Sequence, residues 1–367
     1  MEIKDFFKNL MGVYPLDLWY EDSDNNDYGK TINRIQSEMG ATGQILVGSK
    51  GYKISTKVTI TKDISFVGLG CAVTVVDRYI SLIYTDSPVL EMFVLPARKK
   101  VIFNGIHFNN TSTTAPTAGS AIRFQGVPNS NNGLDTAIGC NISHCSFTGF
   151  YDNVFADGAS HLTIFDNNFN ASVRYNLYID CAQHRDQGDS TIMCNRFYNE
   201  LVPGRNTVSH IYQKGSGGLK IIANKFNAFS DYSILGDIPD MTVILLVSAN
   251  SFENFKKGAI KYRSTYNALR FRHINIIGNE FEVLQNNNSE CVEIYNCDEI
   301  NIQGNSFSCL ETLSPSLNRA INLQNCRNGI LNNTYKNFDN PINMNGCVSI
   351  KRVVLEDAVG TNLATSF

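Results

Sequence analysis

The chain of 367 residues has ten cysteines but no Cys-x-x-Cys pair, and it has no His-Glu-x-x-His segment. Both absences count against a zinc site, and the spacing offers no disulfide framework. Several cysteines recur instead at one position of a repeat described below, so they read as free, buried thiols made in a reducing cytoplasm. No excess of either charge exists: 31 Lys and Arg face 34 Asp and Glu, for a net charge of -3. That balance lacks the basic footprint of a nucleic-acid binder. No run of roughly 18 apolar residues occurs, which excludes a membrane-spanning helix on the sequence. The stretch Met1 to Met11 is amphipathic through Phe6, Phe7 and Leu10, yet it has no long apolar core and no small-residue cleavage site. No signal peptide is expected. With 43% hydrophobic and 18% charged residues, the composition is that of an ordinary globular protein.

What is present is a repeat. An aromatic residue follows two places after an asparagine at Asn167/Phe169, Asn195/Phe197, Asn224/Phe226, Asn250/Phe252, Asn279/Phe281, Asn305/Phe307 and Asn333/Tyr335. By subtraction the asparagines are 26 to 29 residues apart. Phe147, with Cys145 in the asparagine slot, extends the series upstream, and Phe108 begins it. A short alternating strand precedes each corner, as in Leu162-Thr163-Ile164 and Ile300-Asn301-Ile302. A second strand follows, with Leu177/Ile179, Ile260/Tyr262 and Val292/Ile294 among its inward pairs.

Strands this short, with no helices between them, cannot build βαβ units. They can stack coil on coil as parallel sheets about 4.8 Å apart. The expected fold is an all-β, right-handed, single-stranded parallel β-helix. Its phenylalanines and corner asparagines would form internal ladders. Asparagine also tolerates the left-handed backbone that a corner needs. Cys297, Cys326 and Cys347 end successive second strands and read as a third ladder.

Ahead of the repeat, Thr31 to Gln36 has a short helical pattern, followed by a break from Gly40 to Gly43. A polar-faced helix there would cap the open strand edges of a stacked helix. The expected organisation is residues 1–43 as a segment with the capping helix, 44–357 as the β-helix and 358–367 as a tail. The order of helix, glycine break, strand Gln44 to Val47, Gly51-Tyr52-Lys53-Ile54, Val58-Thr59-Ile60 and Ile64 through Gly68-Leu69-Gly70 resembles the opening of pectate-lyase-like proteins. It is most similar to bacteriophage tailspikes and capsule depolymerases. That resemblance implies a homotrimer on the virion, cleaving a bacterial capsular or exopolysaccharide at the host cell surface with carboxylates on one sheet's outer face. It also implies inverting hydrolysis. Many tailspikes carry a long N-terminal attachment domain and a C-terminal module, and the short segments flanking the repeat here depart from that pattern.

A β-helix buries its interior, so chemistry must lie on outward side chains. By parity, the second strand sends out Arg123/Gln125, Phe155/Asp157, Tyr178/Asp180, Tyr212/Lys214, Leu235/Asp237, Lys261/Arg263, Glu293/Tyr295, Asn322/Gln324 and Asn343/Asn345. The last two coils are neutral amides, whereas the central ones stack acids, bases and aromatics. Asp180, Asp237 and Asp157 are the catalytic candidates. Asp157 and Asp180 on adjacent coils would stand near the roughly 5 Å spacing of retaining glycosidases. Asp180 and Asp237, two coils apart, fall near the upper end of the roughly 6.5–9.5 Å inverting range. The latter pair is preferred, for an inverting endo-glycosidase.

Phe155, Tyr178 and Tyr212 would stack on sugar rings, with Lys214, Lys261, Arg263 and Glu293 hydrogen-bonding to the glycan. His184, in the loop Gln183 to Asp189, adds an acid or base that titrates near neutral pH. His107, His144, His161, His210 and His273 read as structural. The insertions Thr111–Ser120 and Val127–Leu134 and the loop Leu310–Leu317 are further groove candidates. No cofactor or metal is called for, although Asp157 and Asp180 are placed where they could share a hard cation. Two alternatives stand beside hydrolysis. One is a lyase acting on a uronate-containing glycan through Lys214, Arg263, Lys261 or Tyr212; the other is a glycan-binding adhesin or structural spike.

Overall fold

The computed structural model describes residues 3–70, 81–126, 137–180, 189–199, 204–215, 217–227, 230–238, 243–264, 271–284, 289–310, 312–313 and 318–353. The protein is a nearly all-β parallel solenoid with few and short helices. It divides into two compact units, Met1–Thr191 with Asn199–Thr207, and Ile192–Tyr198 with Val208–Phe367.

In the first unit each coil contributes two short strands to one sheet and a third strand to a second sheet. The first sheet stacks Thr42–Val47, Asp63–Gly68, Val101–Asn104, Asn141–Ser143 and Thr163–Phe165, all parallel. Beyond the corner it continues through Leu82–Thr85, His107–Asn110, Ser146–Thr148 and Asn168–Asn170. The second sheet stacks Val58–Thr59, Phe93–Pro96, Ser120–Gln125, Asp152–Asp157 and Tyr175–Asp180. The sheet begins earlier than Gln44, because Val13–Pro15 pairs with the strand Thr42–Val47.

The cap is the helix Tyr28–Glu38, longer than the Thr31 to Gln36 pattern. Asp27 caps its N-terminus through the Gly29 amide, and the same Oδ1 accepts from the Ser55 and Thr56 amides. Along its length Asn33 donates to the Lys57 carbonyl and accepts from the Thr59 amide; Gln36 donates to the Thr59 carbonyl and accepts from the Thr61 amide. Two amide side chains thus satisfy the open edge of the strand Val58–Thr59, as the physics of an exposed edge demands.

In the second unit the first sheet stacks Gly217–Ile222, Val243–Ser248, Phe271–Ile277, Cys297–Cys309, Arg327–Lys336 and Val348–Arg352. The strands Cys297–Cys309 and Arg327–Lys336 run unbroken through the corner, with a register shift between Gln303 and Ser306. The second sheet stacks Ser209–Lys214, Tyr232–Ile238, Gly258–Ser264, Glu290–Tyr295, Arg319–Gln324 and Ile342–Asn345.

Both ladders are present. Asn195, Asn224, Asn250, Asn279 and Asn305 each donate from Nδ2 to Oδ1 of the next asparagine, at 2.8 to 3.0 Å, ending on Asn333. Each Oδ1 also accepts the backbone amide of the preceding rung, as Asn250 does from Asn224. Phe226, Phe252, Phe281 and Phe307 stack at 4.6 to 4.8 Å with planes within 7°. In the first unit Phe108, Phe147 and Phe169 stack at 4.9 Å.

One detail differs from the sequence reading. The asparagine is not the left-handed residue; the one before it is. His144, Asp166, Cys194, Ala223 and Ala249 have φ between 52° and 59°, and Gly278 and Gly304 take the same place. The chain turns at that residue and the asparagine then locks the turn. Asn296, Asn325 and Gly346 do the same before Cys297, Cys326 and Cys347. Of these thiols Cys297 and Cys326 are fully buried and Cys347 is half-buried.

Candidate functional site

In the first unit, Arg123, Phe155 and Tyr178 lie in register on three parallel strands, and Gln125, Asp157 and Asp180 lie in register beside them. The alternation that buries Val154, Ala156, Leu177 and Ile179 turns this column outward. Asp157 and Asp180 are therefore direct neighbours across one strand spacing of about 4.8 Å. Arg123 Nη2 lies 3.4 Å from Asp157 Oδ2, while its Nη1 pairs with Glu91. The Tyr178 hydroxyl donates to Asp180 Oδ2 at 2.8 Å.

The aromatic residues are arranged differently from the stacking platform expected. Phe155 and Tyr178 stack on each other, with centroids 4.4 Å apart and planes within 5°. The Arg123 guanidinium lies 4.6 Å from the Phe155 centroid, and that of Arg174 lies 4.8 Å from the Tyr178 centroid. Phe155 is thus held between Arg123 and Tyr178, and Tyr178 is only 8% exposed. Rings in register on adjacent parallel strands stack, so Phe155 and Tyr178 cover each other's faces and present their edges. Polar edges and carboxylates, rather than open ring faces, are what this column offers.

The second unit has its own cluster. Tyr212, Leu235, Lys261, Glu293, Asn322 and Asn343 are in register, and Lys214, Asp237, Arg263, Tyr295, Gln324 and Asn345 run beside them. Asp237 accepts from the Tyr212 hydroxyl at 2.8 Å and pairs with Arg263 through its other oxygen. Lys261 Nζ lies 2.8 Å from Glu293 Oε2 and 3.3 Å from the Tyr232 hydroxyl, between the rings of Tyr232 and Tyr295 at 5.3 and 5.5 Å. Burial alone would lower the Lys261 ammonium, but Glu293 outweighs it and holds it above its usual range. Glu293 also accepts from the Tyr295 hydroxyl and is 5% exposed, so it is a covered anchor and not an open glycan contact.

Two functional candidates escaped the sequence reading. Asp152 and Tyr175 share a further outward position at the start of the second-sheet strands, as do Tyr232, Gly258, Glu290 and Arg319. Asp152 is buried and held by Arg174 Nε at 3.0 Å and by its Nη2. Glu290 accepts from Asn322 Nδ2 at 2.7 Å and faces Arg319 at 3.3 Å. Burial pushes its carboxyl above the usual carboxylate range, and the nearby charge of Glu293 pushes the same way. The signal that hides this column is a break in alternation. Asn153 and Val154 are both buried, as are Cys291 and Val292, so counting by twos from the strand end misses the residue before them.

His184 and the insertion Val127–Leu134 lie outside the described residues, as does most of the loop Leu310–Leu317. The loop after Asn110 is pinned by Arg205, whose Nη2 donates to the carbonyls of Asn110 and Ser112 at 3.1 and 3.0 Å. Among the described residues no third His, Cys, Asp or Glu joins Asp157 and Asp180 in a group that could hold a metal ion.

No protein-family model and no curated protein matches the chain. Solved structures do. The DFA-IIIase of Arthrobacter chlorophenolicus A6 in complex with DFA-III is 14% identical, with a TM-score of 0.56 over 88% of this chain and 84% of its own. The mannuronan C-5 epimerase AlgE6 A-module of Azotobacter vinelandii is 9% identical, with a TM-score of 0.57 over 94% of this chain and 100% of its own. The catalytic unit of the GH87 alpha-1,3-glucanase of Streptomyces thermodiastaticus strain HF3-3 is 10% identical, with a TM-score of 0.51 over 93% of this chain and 69% of its own. At these identities the likeness establishes the right-handed parallel β-helix and nothing finer.

Proposed function

We propose that the protein is a carbohydrate-active enzyme that hydrolyses a polysaccharide, with Asp157 and Asp180 on the outer face of the second sheet as its carboxylate pair. The observation that carries this reading is their register: adjacent strands set the two acids side by side, near the roughly 5 Å separation of a retaining mechanism. Asp157, against Arg123, attacks the anomeric carbon as the glycosidic C–O bond breaks, and Asp180 gives its proton to the departing oxygen. Asp180 then takes a proton from water, whose oxygen attacks the same carbon and releases Asp157. The fold neighbours support the substrate class, since two of those named are a glucanase and a mannuronan epimerase.

A second placement of the site rests on Glu290, whose burial beside Glu293 suits a general acid. The sequence resemblance supports a finer reading: a trimeric tailspike-type depolymerase on a virion, cutting a capsular or exopolysaccharide at the host surface. Lyase chemistry is less favoured, because Lys261, Arg263 and Tyr212 are each bound to a carboxylate.

The test is turnover of a panel of bacterial capsular polysaccharides. New reducing ends without the ultraviolet absorbance of an unsaturated uronate are expected, and Asp157→Asn and Asp180→Asn should each lower kcat roughly a thousandfold. If those variants stay active while Glu290→Gln is dead, the site belongs to the second unit. Unsaturated products would make the enzyme a lyase, and binding without any cleavage would make the chain an adhesin.

A further inference from the structure

On the outer face of the first sheet in the second unit lies a groove of about 500 Å³, formed by side chains that the hydrolytic reading does not use. Its polar lining includes His273, Glu299, Asn275, Asn301, Gln303 and Asn328, with Ser349 beside them. The backbone explains why these side chains converge. His273, Glu299, Asn328 and Ser349 occupy the same place on four successive strands, and all four are left-handed, with φ between 50° and 64°. Glycine takes that conformation at little cost, and of these four residues asparagine and histidine are the ones tolerated there. A stack that also uses Glu299 and Ser349 retains side chains where the backbone disfavours them.

Between these residues runs a chain of amides. Asn301 Nδ2 donates to Asn275 Oδ1 at 3.2 Å, and Gln303 Nε2 donates to Asn301 Oδ1. Gly329 lines the groove where its partners in register are Ile300 and Ile350. A Cβ there would sit 2.9 Å from Ile350 Cδ1 and 3.0 Å from the Ile300 carbonyl oxygen. Ile330 lies at the rim, 41% exposed.

We propose that this groove is a binding site for a short neutral oligosaccharide, separate from the acid-bearing column of the second sheet. The chemistry of the lining selects the class. Amides both donate and accept, as sugar hydroxyls do. Asn275 and Asn301 are in register on adjacent strands, and Ile330 follows them with Asn328 two residues before it, so a chain laid along the stack meets two amides and then an apolar side chain with a third amide beside it. Among the described residues the lining has one carboxylate, Glu299, which faces His273, and no lysine or arginine; Lys351 is in register with Ile330 one strand beyond. Ile330 supplies an apolar edge for ring C–H groups. The proposal extends the glycan-active reading, but it does not require Asp157 or Asp180.

The test is calorimetric titration of the full chain with cellotriose, maltotriose, inulotriose and nigerotriose as neutral probes, against trigalacturonate and a mannuronate trimer. Binding of at least one neutral probe, and weaker or no binding of the acids, is expected. Asn301→Ala with Gln303→Ala should raise Kd about tenfold, and Asn275→Ala alone should raise it by less. Asp157→Asn with Asp180→Asn should leave it unchanged. Circular dichroism melting checks that each variant is folded. If the amide double variant does not fold, Asn275→Ala and Asn328→Ala decide the matter. Binding of acidic probes alone, neutral binding untouched by the amide variants, or no binding of any probe would each overturn the proposal. Hydrolysis that survives in Asp157→Asn with Asp180→Asn, with neutral binding intact, would instead count against the carboxylate assignment only.

Discussion

In the second unit the side chains stacked inward past the corner are Phe226, Phe252, Phe281 and Phe307, while those stacked outward on the second sheet run Tyr212, Leu235, Lys261, Glu293, Asn322 and Asn343. The same coils carry both columns at the same spacing. Inside, each residue's neighbour along the axis is its own copy, so one side chain that packs well against itself solves every coil at once. Outside, side chains are met by water or by polar partners of the next coil, as Glu293 and Asn322 are, and stability does not ask for repetition. The variety on the outer face is therefore where selection for something other than folding can be read.

The comparison breaks most visibly if an inward rung is removed. Phe252 is fully buried between Phe226 and Phe281, 4.8 Å from each. Phe252→Ala should cost roughly 3–5 kcal/mol, because both faces lose their partner and the rigid neighbours cannot close the gap. Urea unfolding followed by circular dichroism measures it. A loss below about 1 kcal/mol would mean that the stack is ornament and the asparagine ladder holds the corner alone.

A smaller effect should come from His210, an inward residue that breaks the rule of apolar interiors. It is 1% exposed near the Phe197 and Phe226 rings, and burial pushes its imidazole down to about 3. The folded form therefore stays neutral where the unfolded chain, at the ordinary 6.5, takes up a proton. Stability is unaffected above that pH and falls as the pH drops from about 6.5 towards 3, by roughly 1.4 kcal/mol per unit. His210→Asn should flatten that acid limb in melting curves taken from pH 7 to pH 4. An unchanged slope would place the acid sensitivity on other groups.

Much of this architecture was legible beforehand. The Asn-x-Phe spacing locates the corners, and the inward pairs follow from parity, because both depend on residues that repeat. The helix Tyr28–Glu38 was visible as a cap for the same reason, since an open edge must be covered by something polar. What was hidden depends on contacts between coils. No spacing shows that Phe155 spends its faces on Arg123 and Tyr178. Nor does it show that the turn falls on Ala223 or Ala249 rather than on the asparagine that follows. Glu290 was missed because Cys291 and Val292 are both buried, and parity carries no warning of two inward residues in a row.

The sharpest form of the comparison uses two neighbouring residues on one strand. Leu323 is fully buried, whereas Gln324 is partly exposed between Tyr295 and Asn345 in register. Leu323→Ala should cost roughly 2–5 kcal/mol. Gln324→Ala should change stability by no more than about 0.5 kcal/mol, because its backbone carbonyl still accepts from the Asn296 amide whatever side chain it carries. Denaturant midpoints of the two variants against the parent decide it. If Gln324→Ala costs as much as Leu323→Ala, the outer amides are structural. The contrast between neutral terminal coils and charged central ones would then reflect folding, and it could no longer be used to locate a glycan site.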